Sequence, residues 1–277
     1  MKNIKKTVCA ALGILALLTW SCKDKDQTPI APTPVTTKVI AHRGAWLRTG
    51  APQNSLASLN AAIKLGVYAS EFDVQMSADS VLFVSAADSI TLGSKDPKGN
   101  KMLIEQAPFD SLAKIKLSNS ELLPTIETYL GAGKVQATTR LILKIKPSRV
   151  SKQRSLQLAR KAVSAVQAQG LQTIADYSSL DYDVCKLIRQ LVPAAKVSYV
   201  GSDKTPEQIQ ADKISEVDYI ADTYVNDIDL VKRAQGLKLT TNVWLVNSQN
   251  LMDYLIWKKL DYITTDEPEL LLKIIKK

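Results

Sequence analysis

The chain has 277 residues, of which 45% are hydrophobic and 23% are charged. This composition indicates a globular protein and excludes a disordered or collagen-like chain. Only three cysteines are present, Cys9, Cys22 and Cys185, so a disulfide framework is excluded as well. The formal charge of +9 favours anionic ligands or surfaces, but the basic residues form no arginine-rich block, and no nucleic acid is expected as a partner.

Residues 1–21 have the features of an export signal peptide. Three lysines precede an apolar run, Val8 to Leu18, which is too short to cross a bilayer because a span needs about 20 apolar residues. Cys22 follows closely, as in a bacterial lipoprotein signal, where this thiol is acylated. We therefore predict an exported, extracytoplasmic cell-envelope lipoprotein that is anchored to the membrane by acylated Cys22. A secreted protein with an incidental Cys22 is the alternative.

Residues 22–37 predict a flexible tether. The segment QTPIAPTPVTTK, residues 27–38, contains three prolines and four threonines, a composition that stays extended and packs poorly. The folded domain is therefore expected to occupy residues 38–277.

Short β-branched runs alternate with amphipathic stretches from Lys38 onward, which predicts βα units around a largely parallel sheet. This pattern suits an α/β fold, a (β/α)8 TIM barrel. Because only about six residues separate Val74 from Val81, fewer than a parallel crossover needs, the barrel should be irregular near its second and third strands. Residues 88–123 are expected to form a surface excursion. Nine strands are predicted: Val39–Ala41, Ala69–Val74, Val81–Ser85, Leu141–Lys146, Thr173–Asp176, Lys196–Val200, Tyr219–Asp222, Lys238–Trp244 and Tyr262–Thr264.

Helix caps and apolar periodicity predict six helices. The best marked begins after Ser55 and ends at Gly66, and a long one begins at Ser151 and ends at Gly170. The remaining four are a helix opened by Ser178 or Ser179 and ended before Pro193, and helices at Asp227–Ala234, Ser248–Lys258 and Glu267–Ile275.

Charged and aromatic side chains collect where the predicted strands end, which in a parallel barrel is one face, the mouth. Residues two apart on a strand point to the same side, so the two carboxylates of the second strand converge, as do the two ammoniums of the fourth. Such a group would be costly in an ordinary core and is typical of an anion-binding site. Its members are His42 and Arg43 after the first strand, Glu71 and Asp73 on the second, Lys144 and Lys146 on the fourth, Trp244 at the end of the eighth, and Asp266 after the last.

These residues lie in strings that resemble the motifs of the glycerophosphodiester phosphodiesterase family. The matching strings are His42-Arg43-Gly44, Pro52-Gln53-Asn54-Ser55, Glu71-Phe72-Asp73-Val74, Leu123-Pro124-Thr125-Ile126-Glu127, Lys144-Ile145-Lys146, Trp244-Leu245-Val246-Asn247 and Thr265-Asp266-Glu267-Pro268. The resemblance implies a TIM barrel that hydrolyses glycerophosphodiesters to an alcohol and glycerol phosphate. It also implies two histidines as general acid and base, and a divalent cation held by three carboxylates.

Three positions depart from the motifs of the family. The second histidine aligns with Ala86, and His42 is the only histidine in the chain. The third metal carboxylate aligns with Lys144, and the loop glutamate aligns with Gln53. Losing one of two acid–base groups costs about 10²–10⁴ in rate, and an ammonium repels a cation. The departures therefore predict a weakly active or inactive family member, a pseudoenzyme.

Each residue of the group has an expected role. His42 is the acid–base group if activity remains. Glu71 and Asp73 are residual metal ligands that we expect to be ion-paired with Lys144, so that no cofactor is needed, although a weak residual Mg²⁺ or Ca²⁺ site at these two carboxylates stays open. The residues expected to bind a small anionic ligand, such as a glycerophosphodiester or another phosphate ester, are Arg43, Lys144, Lys146 and Trp244.

Three functions remain open at this point. The first is a binding protein for a phosphate ester. The second is an active, metal-independent phosphodiesterase that uses His42, with Lys144 in place of the cation. The third is a structural surface lipoprotein with a vestigial site. Nothing in the sequence indicates the oligomeric state.

Overall fold

The computed structural model describes residues 36–91 and 101–276. The chain divides into two units, and the second, Val35–Lys277, contains every described residue. The predicted signal peptide, the acylation site Cys22 and almost all of the tether lie outside the described residues. The strands are β1 (Lys38–His42), β2 (Ala69–Met76), β3 (Leu82–Val84), β4 (Ser89–Thr91), β5 (Lys101–Leu103), β6 (Arg140–Ile145), β7 (Ala175–Ser179), β8 (Val197–Val200), β9 (Glu216–Ile220), β10 (Thr240–Trp244) and β11 (Tyr262–Thr265).

Eight parallel strands form a closed barrel. The order around it is β1, β2, β6, β7, β8, β9, β10 and β11, and the ring closes because β1 pairs with both β2 and β11. The predicted (β/α)8 TIM barrel is confirmed. The irregularity lies where it was expected, since β3 is antiparallel to β2, with Val74 opposite Val84.

Helices cover the outside of the barrel. Within the described residues, no helix has both the length and the apolar character required to cross a membrane. The helices are α1 (Leu56–Leu65), α2 (Phe109–Leu112), α3 (Ile126–Gly133), α4 (Lys152–Gln169), α5 (Tyr182–Leu191), α6 (Pro206–Ala211), α7 (Ala221–Asn226), α8 (Leu230–Gly236), α9 (Gln249–Trp257) and α10 (Pro268–Ile275).

Four predicted helix starts, those at Ser55, Ser151, Ser248 and Glu267, agree with the structure, and the start at Ser178 or Ser179 is wrong. Ser55 caps α1 by accepting the Ser58 N–H at 3.0 Å, and Ser151 caps α4 by accepting the Arg154 N–H at 3.2 Å. The cap of α5 is Asp181, whose carboxylate accepts the N–H groups of the first turn. Ser178 and Ser179 are instead the last residues of β7.

Two predicted strands and one predicted helix are displaced along the chain. The fifth strand covers Ala175–Ser179 rather than Thr173–Asp176, and the seventh covers Glu216–Ile220 rather than Tyr219–Asp222. Both errors have one cause, because the barrel interior accepts buried polar residues that an apolar pattern does not mark as strand. The chain after β9 forms α7, which was not predicted, and then α8 (Leu230–Gly236), which corresponds to the helix predicted at Asp227–Ala234 but begins and ends later in the chain.

Part of the predicted surface excursion is structured. Its described residues contain the antiparallel hairpin β4–β5 and α2, and they bury a second small apolar cluster. Glu121 joins the excursion to the barrel layer, because its carboxylate accepts the Leu56 and Ala57 N–H groups at 2.9 and 3.1 Å. These are two of the otherwise unpaired donors at the start of α1.

Polar groups fill the end of the barrel opposite the mouth. Lys196 Nζ donates to the Tyr262 hydroxyl at 2.7 Å and to the Tyr68 hydroxyl at 3.2 Å. Glu216 accepts from Thr240 Oγ1 at 2.8 Å. Burial raises the pKa of Glu216 from 4.5 to about 7, even though the Thr240 hydrogen bond and the Lys196 charge act in the opposite direction.

Candidate functional site

A cleft of about 650 Å³ opens at the carboxyl ends of the strands. We name it the mouth cleft. It brings together every predicted site residue of the barrel except Glu71, whose side chain lies deeper. The lining side chains used below are those of His42, Arg43, Asp73, Asp88, Lys144, Lys146, Arg149, Trp244 and Asp266.

His42, the last residue of β1, is held by a carboxylate. Its Nδ1 lies 2.8 Å from Asp266 Oδ1, which directly follows β11. Asp266 also accepts from Trp46 Nε1 and from Asn247 Nδ2, each at 3.0 Å. Because an ionised carboxylate can only accept, Nδ1 carries the proton and Nε2 is the basic nitrogen of the neutral ring.

Asp266 remains ionised through its partners. Burial alone would raise its pKa, but the hydrogen bond and charge of His42 lower it below the ordinary value, with smaller contributions from Asn247 and Trp46. This histidine–carboxylate pair is the part of an acid–base site that the chain retains intact.

Arg43 is positioned by a tight turn. Its φ is 60° and that of Gly44 is 82°, so two consecutive residues adopt the left-handed conformation. A side chain at Gly44 would place its Cβ 2.6 Å from the Ser58 backbone, which explains why glycine follows Arg43. Ser58 Oγ donates to the Arg43 carbonyl oxygen at 3.1 Å and thereby ties the turn to α1.

The guanidinium of Arg43 is paired with Asp73, the second residual metal ligand. Arg43 Nε donates to Asp73 Oδ2 at 2.9 Å, and Arg43 Nη1 donates to Gln53 Oε1 at 2.6 Å. Asn54 Nδ2 donates to the same Asp73 oxygen at 3.0 Å. Asp73 is therefore partnered by Arg43 and Asn54, and the expectation that Lys144 bonds it directly is wrong.

Lys144 is bonded to Glu71 instead. Its Nζ lies 3.1 Å from Glu71 Oε1, and Ser178 Oγ donates to Glu71 Oε2 at 3.2 Å. Burial opposes the charge of Lys144, but Glu71, Asp218 and Asp73 together raise its pKa, so the ammonium keeps its charge. The same ammonium lies 5.6 Å from the centre of the Trp244 ring, within the range of a cation–π contact.

Asp218 is a site residue that the sequence prediction missed. It lies within β9, is 1% exposed, and its Oδ1 has no hydrogen-bond partner among the residues that the structure describes. Burial, together with the charges of Glu71 and Glu216, raises the pKa of Asp218 well above the ordinary value, although the nearby charge of Lys144 acts in the opposite direction. The alternation Glu216, Val217, Asp218, Tyr219 was the available signal, because it places the two acids on one side of a strand.

Lys146 makes a contact that the sequence did not predict. Its Nζ donates to the Ala86 carbonyl oxygen at 2.6 Å and to Asp88 Oδ1 at 2.6 Å. Arg149 Nη2 lies 2.7 Å from the other oxygen of Asp88. The hydrogen bond from Lys146 is the main cause that lowers the pKa of Asp88, so this carboxylate is charged.

The oxygens at this mouth do not fit a divalent cation. Mg²⁺ and Ca²⁺ require several oxygen ligands that converge on one point. Glu71 is bonded to an ammonium and Asp73 to a guanidinium, and within residues 36–91 and 101–276 no three acidic, histidine or cysteine side chains are placed to share an ion.

Taken together, these features define a TIM-barrel protein with a histidine–carboxylate pair and cationic side chains at the carboxyl ends of its strands. The sequence profile described as glycerophosphoryl diester phosphodiesterase family matches residues 42–270. The chain belongs to this family, and the predicted family resemblance is confirmed.

Several solved structures have the same fold as this chain. A glycerophosphodiester phosphodiesterase from Parabacteroides distasonis is 37% identical over 88% of this chain and 98% of its own, with a TM-score of 0.82. One from Silicibacter pomeroyi, described as putative, is 19% identical over 88% and 94%, with a TM-score of 0.76. An Oleispira antarctica phosphodiesterase, solved in complex with the product sn-glycerol-3-phosphate, is 20% identical over 87% and 98%, with a TM-score of 0.74. No curated protein matches this chain.

Proposed function

We propose that this chain binds a small phosphate ester in the mouth cleft and hydrolyses phosphodiesters weakly or not at all. The observation that carries this proposal is the contact of Lys144 Nζ with Glu71 Oε1 at 3.1 Å. A buried ammonium neutralises the carboxylate that a catalytic cation would need. The carboxylates that would hold a metal ion are thus paired with cations, whereas Lys146 and Arg149 share the single carboxylate of Asp88 and leave positive charge at the mouth for an anion.

The acid–base chemistry supports the same proposal. Hydrolysis of a phosphodiester requires a proton to leave the attacking water and another to reach the departing alcohol. His42 is the only histidine in the chain, and Ala86 stands at the position that aligns with the second. The ammonium and guanidinium groups near His42 are hydrogen-bond donors that bind oxyanions, and they do not supply the missing second histidine.

A structural relative supports a phosphate ester as the ligand. The Oleispira antarctica phosphodiesterase is described in complex with sn-glycerol-3-phosphate, a small dianion. A ligand of this size and charge suits a cleft of about 650 Å³ whose lining includes Arg43, Lys146 and Arg149. We propose the same chemical class, a small phosphate ester, for this chain.

One observation favours a second candidate, a metal-independent phosphodiesterase. The contact of 2.8 Å between His42 and Asp266 leaves Nε2 free to accept a proton from water. In this scheme the water oxygen forms a bond to phosphorus and the water proton passes to His42 Nε2. The bond between phosphorus and the leaving oxygen then breaks, and the protonated His42 returns its proton to that oxygen, which departs as the alcohol. The charge on the phosphoryl oxygens would be stabilised by Lys144 in place of a cation.

One set of measurements separates these functions. Residues 27–277, which contain the whole compact unit Val35–Lys277, are titrated calorimetrically with glycerol 3-phosphate and assayed against glycerophosphocholine with Mg²⁺, with Ca²⁺ and with chelator. We expect binding without turnover, and loss of binding in Lys146→Met but not in Lys161→Met, an exposed lysine of α4. Turnover that survives chelator and disappears in His42→Ala would establish the second candidate. If neither binding nor turnover is observed, the remaining function is that of a structural lipoprotein with a vestigial site.

We also propose that the chain is exported and anchored by acylated Cys22. The order of charged flank, short apolar run and cysteine supports this proposal. Expression of the full chain with a labelled fatty acid should give a labelled product in the membrane fraction, and Cys22→Ser should abolish both the label and the membrane association. A labelled Cys22→Ser chain would contradict the anchor.

A further inference from the structure

Asp88 is bonded to two cations of the mouth cleft at once. Its Oδ1 accepts from Lys146 Nζ at 2.6 Å, and its Oδ2 lies 2.7 Å from Arg149 Nη2. All three side chains line the cleft. One carboxylate therefore occupies hydrogen-bond donors of both Lys146 and Arg149.

The backbone around Asp88 is fixed from both sides. The buried Gln75 donates through Nε2 to the carbonyl oxygens of Ser85 and Ala87 at 2.8 and 2.6 Å. The Asp88 carbonyl oxygen accepts from the Ile104 N–H at 3.0 Å. The Asp88 side chain itself is 40% exposed. Its carboxylate can therefore leave both cations by side-chain rotation alone, while the loop stays in place.

The geometry is that of a bound oxyanion. Two oxygens on one central atom, each bonded to a different cationic donor, are what a phosphate group presents to a lysine and an arginine. Asp88 supplies these two oxygens from within the chain. Any ligand that uses Lys146 and Arg149 must first replace them.

We infer that Asp88 is a built-in competing anion, which holds the phosphate position on Lys146 and Arg149 and admits only ligands that carry more negative charge than one carboxylate. This inference rests on the proposed phosphate-ester binding. A repulsive or competing element of this kind gives selectivity that attractive contacts alone do not supply.

The charge of the phosphate ester then decides what enters. A phosphodiester has a single negative charge, as does the carboxylate it replaces, so the exchange gains little. A phosphomonoester carries about −1.5 to −2 at pH 7, because its second pKa is about 6. The structure thus assigns phosphomonoesters, which are the products of phosphodiester hydrolysis, as the ligand class. A reaction that cleaves phosphodiesters would supply such a ligand.

The test compares methyl phosphate with dimethyl phosphate at pH 7.5, because these probes share a size class and differ in charge. Binding to residues 27–277 is measured calorimetrically for wild type and for Asp88→Asn. We expect wild type to bind methyl phosphate but not dimethyl phosphate. Asp88→Asn should bind both probes. Its affinity for methyl phosphate should be about tenfold higher than that of wild type, because no carboxylate competes with the ligand.

The control is Asp183→Asn. Asp183 also bridges two cations, Lys152 at 2.7 Å and Lys186 at 3.0 Å, but it does not line the mouth cleft. This variant should behave as wild type does and bind methyl phosphate but not dimethyl phosphate. Asp88→Ala is a second variant that removes the carboxylate. Because the Asp88 side chain is partly exposed, we expect both Asp88 variants to fold.

Two outcomes would overturn the inference in different ways. Equal or weaker binding of methyl phosphate by Asp88→Asn and Asp88→Ala, with wild type binding intact, would show that Asp88 positions the two cations rather than competing for them. Phosphate-ester binding would then still stand. Absence of binding by wild type and by both Asp88 variants would overturn the inference and the proposed binding function together.

Discussion

Lys144 pairs in register with Asp73, yet its ammonium bonds Glu71, one layer deeper in the barrel. The β2–β6 register places the Cα of Lys144 beside that of Asp73 and the Cα of Ile142 beside that of Glu71. The lysine side chain therefore points down into the interior, where Nζ lies 3.1 Å from Glu71 Oε1. Asp73 is left to Arg43 and Asn54, and each of the two remaining family carboxylates has a partner of its own.

Lys144→Met should reduce the free energy of unfolding by about 3–5 kcal/mol, because it leaves the buried Glu71 carboxylate without its countercharge. The double variant Lys144→Met/Glu71→Gln should recover most of this loss, since both charges are then absent. Urea unfolding of wild type, both single variants and the double variant gives the coupling free energy. Additive losses would show that the two charges do not stabilise each other.

Lys144→Glu should create sensitivity to divalent cations. The substitution replaces the buried ammonium with a carboxylate next to Glu71, so that hard oxygens could converge on Ca²⁺. Millimolar Ca²⁺ should raise the melting temperature of this variant by several degrees, as expected for a ligand that binds only the folded state. Wild type, which keeps the ammonium, should not respond. An equal response of wild type would contradict metal-independence.

Asp266→Ala should change the tautomer of His42. Without the carboxylate, nothing holds the proton on Nδ1, and both tautomers should be populated. Because the chain has a single histidine, a nitrogen-15 spectrum of tag-free protein at pH 8.5 reports on His42 alone. Wild type should show a protonated Nδ1, and so should the control Asp253→Ala, which changes an exposed carboxylate of α9. An unchanged spectrum in Asp266→Ala would rule out this positioning role.

Glu216 should make the protein more stable in mild acid than at neutral pH. Its pKa is about 7 in the folded state against 4.5 in the unfolded chain, so the folded state binds the proton more tightly. The free energy of unfolding should fall as pH rises from about 4.5 to 7, by up to about 3 kcal/mol from this group. Glu216→Gln should flatten the profile, whereas Glu127→Gln, an exposed residue of α3, should leave it unchanged.

The fold was predictable because the alternation of strand and helix patterns along the chain does not depend on where each strand or helix begins and ends. Strand ends were less predictable where buried polar residues continue a strand, as Ser178 and Ser179 do in β7 and Glu216 and Asp218 do in β9. The apolar rule fails there, because the barrel interior provides polar partners such as Glu71 Oε2, which accepts from Ser178 Oγ at 3.2 Å.

The members of the candidate site were predictable, but their partners were not. Motif order located His42, Arg43, Lys144 and Lys146 at one mouth. The pairing of Lys146 with Asp88 depends on a loop that Gln75 holds from the second strand, and nothing in the local sequence around Asp88 indicates that contact. Side-chain partners across loops are set by tertiary geometry rather than by a short-range pattern.

The Glu121 carboxylate has a mechanical consequence for the mouth. It fastens the segment that precedes α3 to the first turn of α1, and α1 starts two residues after Asn54, which orients Asp73. A shift of this segment would be transmitted through α1 to the Asp73–Arg43 pair. Substitutions far from the cleft along residues 101–123 can therefore tune the ligand site, and natural variation there should be coupled to variation in the turn that carries Arg43.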